Sequence, residues 1–88
     1  MDFTARVFVT PKAAILDPEG KAIASSLHSL GYDDVADARV GKFILLHLHA
    51  ADRGTASARI DEMCRRLLAN EVIEDYRFEI DPEGSLPS

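Results

Sequence analysis

Residues 39–48, RVGKFILLHL, decide the architecture of this chain. Read as a strand, the stretch sends Val40, Ile44, Leu46 and Leu48 to one face and Phe43, Leu45 and His47 to the other, because side chains alternate with a period of two. Both faces are apolar. A chain of 88 residues can cover one face of a small sheet with its own helices and rarely covers two.

Upstream, Phe3–Thr10 is rich in β-branched and aromatic residues, with Phe3, Ala5, Val7 and Val9 alternating against Thr4, Arg6, Phe8 and Thr10. Pro11 lacks an N–H and closes this first strand. Asp17 is a preferred N-cap, and Pro18 fits the first helical position, where its missing N–H costs nothing. Ile23, Leu27 and Leu30 then fall at i, i+4 and i+7, and Gly31 suits a left-handed cap, so a helix is expected from Pro18 to Leu30. The second strand is expected over Val35–His49, long and bent at Gly41, since a glycine inside a strand pattern marks a bulge or bend.

Downstream, Asp52 can cap a second helix carrying Ala56, Ile60, Met63, Cys64, Leu67 and Leu68 at helical spacing, ended by Asn70, a residue tolerant of the left-handed conformation. Val72–Ile80 alternates as a third strand, and residues 81–88 read as a flexible tail after a single domain of residues 1–80. The β-α-β-α-β order predicts an α+β two-layer sandwich: a small, mainly antiparallel sheet with two helices on one face. Phe8, Phe43 and Leu45 then point away from the helices. Contiguous apolar surface of that kind marks an interface, and a second copy is its simplest cover, so these three residues are the candidates for a homodimer or tetramer contact.

Fifteen acidic against ten basic residues give a net charge of −5, which disfavours nucleic acid and anionic lipid surfaces. The N-terminus lacks the pattern of a signal peptide, no apolar run reaches the ~20 residues of a membrane span, and lone Cys64 excludes an intramolecular disulfide. These features predict a cytoplasmic protein.

Catalytic sets are absent from the pattern. His47 and His49 share a strand face at i and i+2, but two imidazoles without a third ligand do not make a metal site. Asp33, Asp34 and Asp37 lie in a polar connection where such residues form turns. Cys64 has no context that would lower its pKa, and the serines lie outside any nucleophile elbow. The two Gly-Lys pairs, at 20–21 and 41–42, belong to no phosphate-binding loop. Arg39 and Lys42 flank the Gly41 bend, where exposed cations can meet a phosphate or an acidic partner. The residues alone therefore favour an interaction subunit over an enzyme.

Four pieces in order, VFVTPK at 7–12, LDPEGKAI at 16–23, RVGK at 39–42 and EMCRRLLANEVIEDY at 62–76, resemble the PurS family. The resemblance runs from about residue 5 to 80 and carries over at Asp17, Pro18, Gly20, Arg39–Lys42, Ala69, Asn70 and Ile73–Tyr76, with departures at Ala14, Glu19 and Glu71. It implies the small subunit of phosphoribosylformylglycinamidine synthase in purine biosynthesis: an adaptor that joins a synthetase subunit (PurL) to a glutaminase subunit (PurQ) and supports transfer of glutamine-derived ammonia. It further implies no catalytic residues and no cofactor in this subunit, ATP and Mg²⁺ being used by the synthetase. Among the matched positions Arg39 and Lys42 lack an evident structural duty, so they are the candidates for contact with the partners. The alternatives are a stand-alone dimeric ligand-sensing regulatory module of ferredoxin-like shape and an independent small enzyme.

Overall fold

A computed structural model describes residues 1–83. Its elements are β1 (Asp2–Pro11), α1 (Pro18–Ser29), β2 (Lys42–His49), α2 (Arg53–Met63) continued by a π-helical turn (Cys64–Leu68), and β3 (Glu74–Pro82). The strands form one antiparallel sheet in the order β2-β1-β3, with β1 in the middle. The α+β class and the alternation read from the sequence hold. Val7 sits opposite Ile44 and Phe78, and Ala5 opposite Leu46 and Ile80, so the helix side carries Phe3, Ala5, Val7 and Val9 with the even-numbered residues of its neighbours.

The core joins those four β1 residues to Ala56, Ile60 and Cys64 of the α2 arm of the fold, with Ala50, Ala69 and Ile80 at its margin. Asp52 starts α2 as expected, its carboxylate accepting from the Thr55 N–H at 2.7 Å. The helix then widens: the N–H of Ala69 bonds the Cys64 carbonyl, an i→i+5 step. That extra residue delays the return of side chains to the core. Leu67, expected on the apolar face, is turned out to 83% exposure, while Leu68 packs against the core and Ala69 is buried within it.

Three further boundaries differ from the sequence reading. The second strand is not a long bent one from Val35; it begins at Lys42, and residues 35–41 form no strand. Those residues run back along α1, where Gly20 abuts the Ala38 carbonyl so closely that a Cβ would lie 2.3 Å from its oxygen. Gly41 is therefore a point of close approach and not a bulge: a Cβ there would stand 2.2 Å from the Val9 carbonyl oxygen, and glycine alone lets the chain enter the sheet beside β1. Second, Asn70 ends the π turn through its side chain, which accepts from the Val72 N–H, and no described non-glycine residue has positive φ. Third, β3 starts at Glu74 and runs through Asp81 and Pro82, two residues past the expected domain limit; residues 84–88 of the expected tail lie outside the described residues.

The two helices are not equivalent. α2 lies over β1 and β3, whereas no residue of α1 joins the core cluster and only Gly20 of that helix is buried. A second helix packed on the sheet face is thus not formed within the chain. α1 and the returning residues 35–41 make an arm, and the radius of gyration is 16.4 Å against about 12 Å for a compact domain of this length.

Candidate functional site

All four sequence segments of the family pattern meet at one end of the sheet, where β1 ends and β2 begins. Asp17 is the centre of this clasp. Its Oδ1 accepts from the Gly20 N–H at 2.9 Å, capping α1, while its Oδ2 accepts from the Val40 N–H at 2.9 Å, tying the returning strand to the helix start. These two backbone bonds, with a further contribution from nearby Arg39, hold the carboxyl below its ordinary value against the opposing effect of desolvation. Lys12 N–H bonds the Ile73 carbonyl and Lys12 Nζ pairs with Asp75 at 2.8 Å, which joins the β1 exit to the segment before β3.

Arg39 closes the clasp from outside. Its guanidinium donates to the carbonyls of Ile15 at 2.9 Å and Ala13 at 2.5 Å and stands 3.6 Å from Asp37. Sequence spacing could not show this duty, because the acceptors are 24 and 26 residues away. Lys42 differs: its ammonium makes one long contact, 3.4 Å to the Leu68 carbonyl, and remains exposed. On the segment that carries that carbonyl, Leu67 and Val72, both more than four-fifths exposed, make an apolar rim that the sequence reading had assigned to the core face or to a strand.

The sheet face away from α2 carries the second candidate surface. Phe8 and Phe43 are directly opposite across the β1–β2 pair, with ring centroids 5.3 Å apart, and the Arg77 guanidinium lies 4.0 Å above the Phe8 ring. Phe43 is 58% and Leu45 51% exposed, and Phe8 is partly covered by its two neighbours. The apolar surface is narrower than the alternation suggests. Toward the other end Arg6 pairs with Glu79 at 3.0 Å and Asp81 at 3.3 Å, His47 lies 2.9 Å from Glu83, and His49 lies 2.8 Å from Asp2. The structure thus separates His47 and His49 by giving each its own carboxylate.

Tyr76 and Cys64 have structural roles. Tyr76 donates to Asp61 at 2.6 Å, which pushes the phenol up to about 12 and holds the carboxyl down. Burial raises the Cys64 thiol, which leaves it a core side chain. A depression of about 680 Å³ runs along the β3 edge, but its two arginines are committed, Arg6 to Glu79 and Asp81 and Arg53 to the Ile80 carbonyl. No helix among the described residues is long and apolar enough to cross a membrane.

Residues 4–82 match the model of the family described as PurS, phosphoribosylformylglycinamidine (FGAM) synthase. A phosphoribosylformylglycinamidine synthase subunit PurS of Synechocystis is 51% identical over 78 residues, 89% of this chain and 78% of the relative. The solved PurS of Bacillus subtilis is 43% identical and superposes with a TM-score of 0.79 over 90% of this chain and 98% of its own. A chain of the PurLQS structure from Thermotoga maritima is 27% identical, with a TM-score of 0.84 over 92% of this chain and 99% of that one. Matches of this extent take in the arm and the clasp as well as the sheet, and on them the chain belongs to the PurS family of FGAM synthase subunits.

Proposed function

We propose that this chain is the adaptor subunit of a phosphoribosylformylglycinamidine synthase, holding a synthetase and a glutaminase subunit together so that ammonia from glutamine reaches the synthetase. Its membership of the PurS family carries the reading, with the PurLQS assembly of a relative as support. In this reading the subunit binds no cofactor, ATP and Mg²⁺ belong to the synthetase, and the complex works in the cytoplasm. The exposed face of Phe8, Phe43 and Leu45 meets a second copy. The clasp end meets the catalytic partners, with Lys42 and the Leu67 and Val72 rim presented outward and Arg39 both bracing the clasp and offering its outer edge.

The test is the rate of formylglycinamidine ribonucleotide synthesis by the synthetase and glutaminase, with glutamine or with free ammonia, in the presence and absence of this protein. The adaptor reading expects the glutamine-fed rate to depend on the protein and the ammonia-fed rate to be indifferent to it. Equal glutamine-fed rates with and without the protein would sink the reading. Lys42→Glu, at an exposed position outside the core, should weaken assembly with the synthetase while leaving self-association and Tm unchanged; unaltered assembly would remove the clasp end as the contact.

A further inference from the structure

The π turn at the end of α2 sets a leucine in solvent. Along the helix Ala56, Ile60 and Cys64, all fully buried, advance by four, as one face of an α-helix does. Continued at that spacing, the row would bury Leu68 next, with Leu67 beside it. Instead the Ala69 N–H reaches the Cys64 carbonyl at 3.0 Å, so the turn closes over five residues where an α-helix closes it over four, and Ala69 takes the buried place. The core receives a methyl group there, and Leu67 stands 83% exposed.

The exit from the helix does not call for the extra residue. The bonds that hold it begin beyond Leu67: Asn70 N–H donates to Glu74 Oε1 at 2.8 Å, Val72 N–H to Asn70 Oδ1 at 3.1 Å, and the N–H groups of Ile73 and Glu74 to the Asn70 carbonyl at 3.0 and 2.7 Å. A chain one residue shorter, with Ala69 bonded to the Cys64 carbonyl at the ordinary spacing of four, meets the same exit. It lacks only the exposed leucine. A residue that adds no apolar burial to a small core and leaves its closures as they were has its use on the outside, and single π turns recur at functional sites. Beside this leucine the Lys42 ammonium lies 3.4 Å from the Leu68 carbonyl and, among the described residues, is paired with no carboxylate. Arg65 and Arg66 are matched within the helix, by Asp61 at 2.9 Å and Glu62 at 3.2 Å, with Glu71 also acting on Arg65. Lys42 is thus the cation of the turn that lacks a counter-charge, and a leucine beside it fits an apolar pocket with a carboxylate at the rim.

We propose that the π turn is the anchor by which this subunit holds the synthetase: Leu67 enters an apolar pocket of that partner, and Lys42 meets a carboxylate on the pocket's rim. The inference rests on the adaptor reading and names the side chain that carries its contact with the synthetase. The extra residue of the turn serves binding and not the fold.

The test titrates the synthetase with the wild-type chain, a chain from which Leu67 is deleted, Leu67→Asp and Leu67→Met, and measures the solution mass and Tm of each alone. Deletion turns the segment into an uninterrupted α-helix, so it should leave Tm equal or raised and the mass unchanged while weakening synthetase binding at least about tenfold, the loss expected of an anchor residue. Leu67→Asp, at a position too exposed to matter to the fold, should weaken binding as much with Tm unchanged. Leu67→Met should keep it, since that swap conserves volume. Excess of either weakened variant should restore the glutamine-fed rate, because affinity alone is lost. Wild-type affinity in Leu67→Asp overturns the proposal, and so does a change in that variant's own mass, which would give the leucine to contact between copies. A deleted chain that folds with a lower Tm overturns the claim that the turn serves binding; if it does not fold, Leu67→Asp alone decides. Failure of the wild-type chain to bind the synthetase would remove the adaptor reading together with this inference, whereas wild-type binding with unaltered variants removes the inference alone.

Discussion

Asp17 does the work of two residues, since one carboxylate caps α1 and holds Val40 of the returning segment. Its native pKa lies below the unfolded value of 3.8, so the stability it contributes is present above about pH 4 and is lost as pH falls through the lowered native value. Asp17→Asn should therefore lower Tm at pH 7, and the gap should narrow as the pH falls below 4; a gap that stays constant down the acid limb would count against a role for the ionised carboxylate. The Tyr76 phenol works in the opposite sense. Its native value of about 12 exceeds the ordinary 10.0, so its bond to Asp61 stabilises the fold fully below pH 10 and that contribution is lost as pH rises toward 12. Ultraviolet titration should show a tyrosine step well above pH 10, and Asp61→Asn should bring that step down. At this scale the sequence was legible where chemistry is local. Asp17 before Pro18 announces a cap, but nothing in RVGK reveals that Arg39 reaches two carbonyls in a distant loop or that Asp17 reaches Val40.

Among the elements, α2 is the one that makes a core for the sheet. Ile60 is fully buried against β1, so Ile60→Ala should cost about 2–5 kcal/mol in chemical denaturation, with an unchanged m-value. A loss well under 1 kcal/mol would mean that the helix does not seat on the sheet as described. Period-two alternation read the strand faces correctly from Lys42 onward, including which residues of KFILLHL lie on the α2 side, because a pleated strand has no other way to distribute its side chains; Arg39–Gly41, read with them, precede the strand. Helical periodicity was less reliable at both ends of the chain. A wheel with 3.6 residues per turn puts Leu67 beside Cys64, and the π turn moves it out. The same wheel finds a packing stripe on α1, yet no residue of that stripe joins the core cluster of the described residues. Gly41 announces an unusual backbone, yet whether it bends a strand or slips past a carbonyl depends on what lies across from it.

The whole molecule carries an exposed apolar patch, Phe43 and Leu45 beside the half-buried Phe8, on the sheet face away from α2, and that patch is the proposed contact between copies. Phe43→Asp with Leu45→Asp should lower the solution mass and leave Tm nearly unchanged, since both positions are more than half exposed. A full-sized assembly from that variant would show that the face serves another partner. Composition and alternation sufficed to read a surplus apolar surface and an interaction role. The division of that surface into a narrow aromatic patch and an ion-paired half could not be read, because it depends on the register that sets Arg77 over Phe8 and Arg6 beside Glu79.

The central place of β1 also bears on how the chain is made. β1 precedes both of its neighbours in the sequence, and β3 follows β2 only after α2 and its π turn. Until β3 is in place, β1 has β2 along one edge and nothing along the other. A nascent chain stopped before Glu74 would present that open edge to other nascent chains or to a chaperone. Arrival of β3 is the event that covers the second edge of β1.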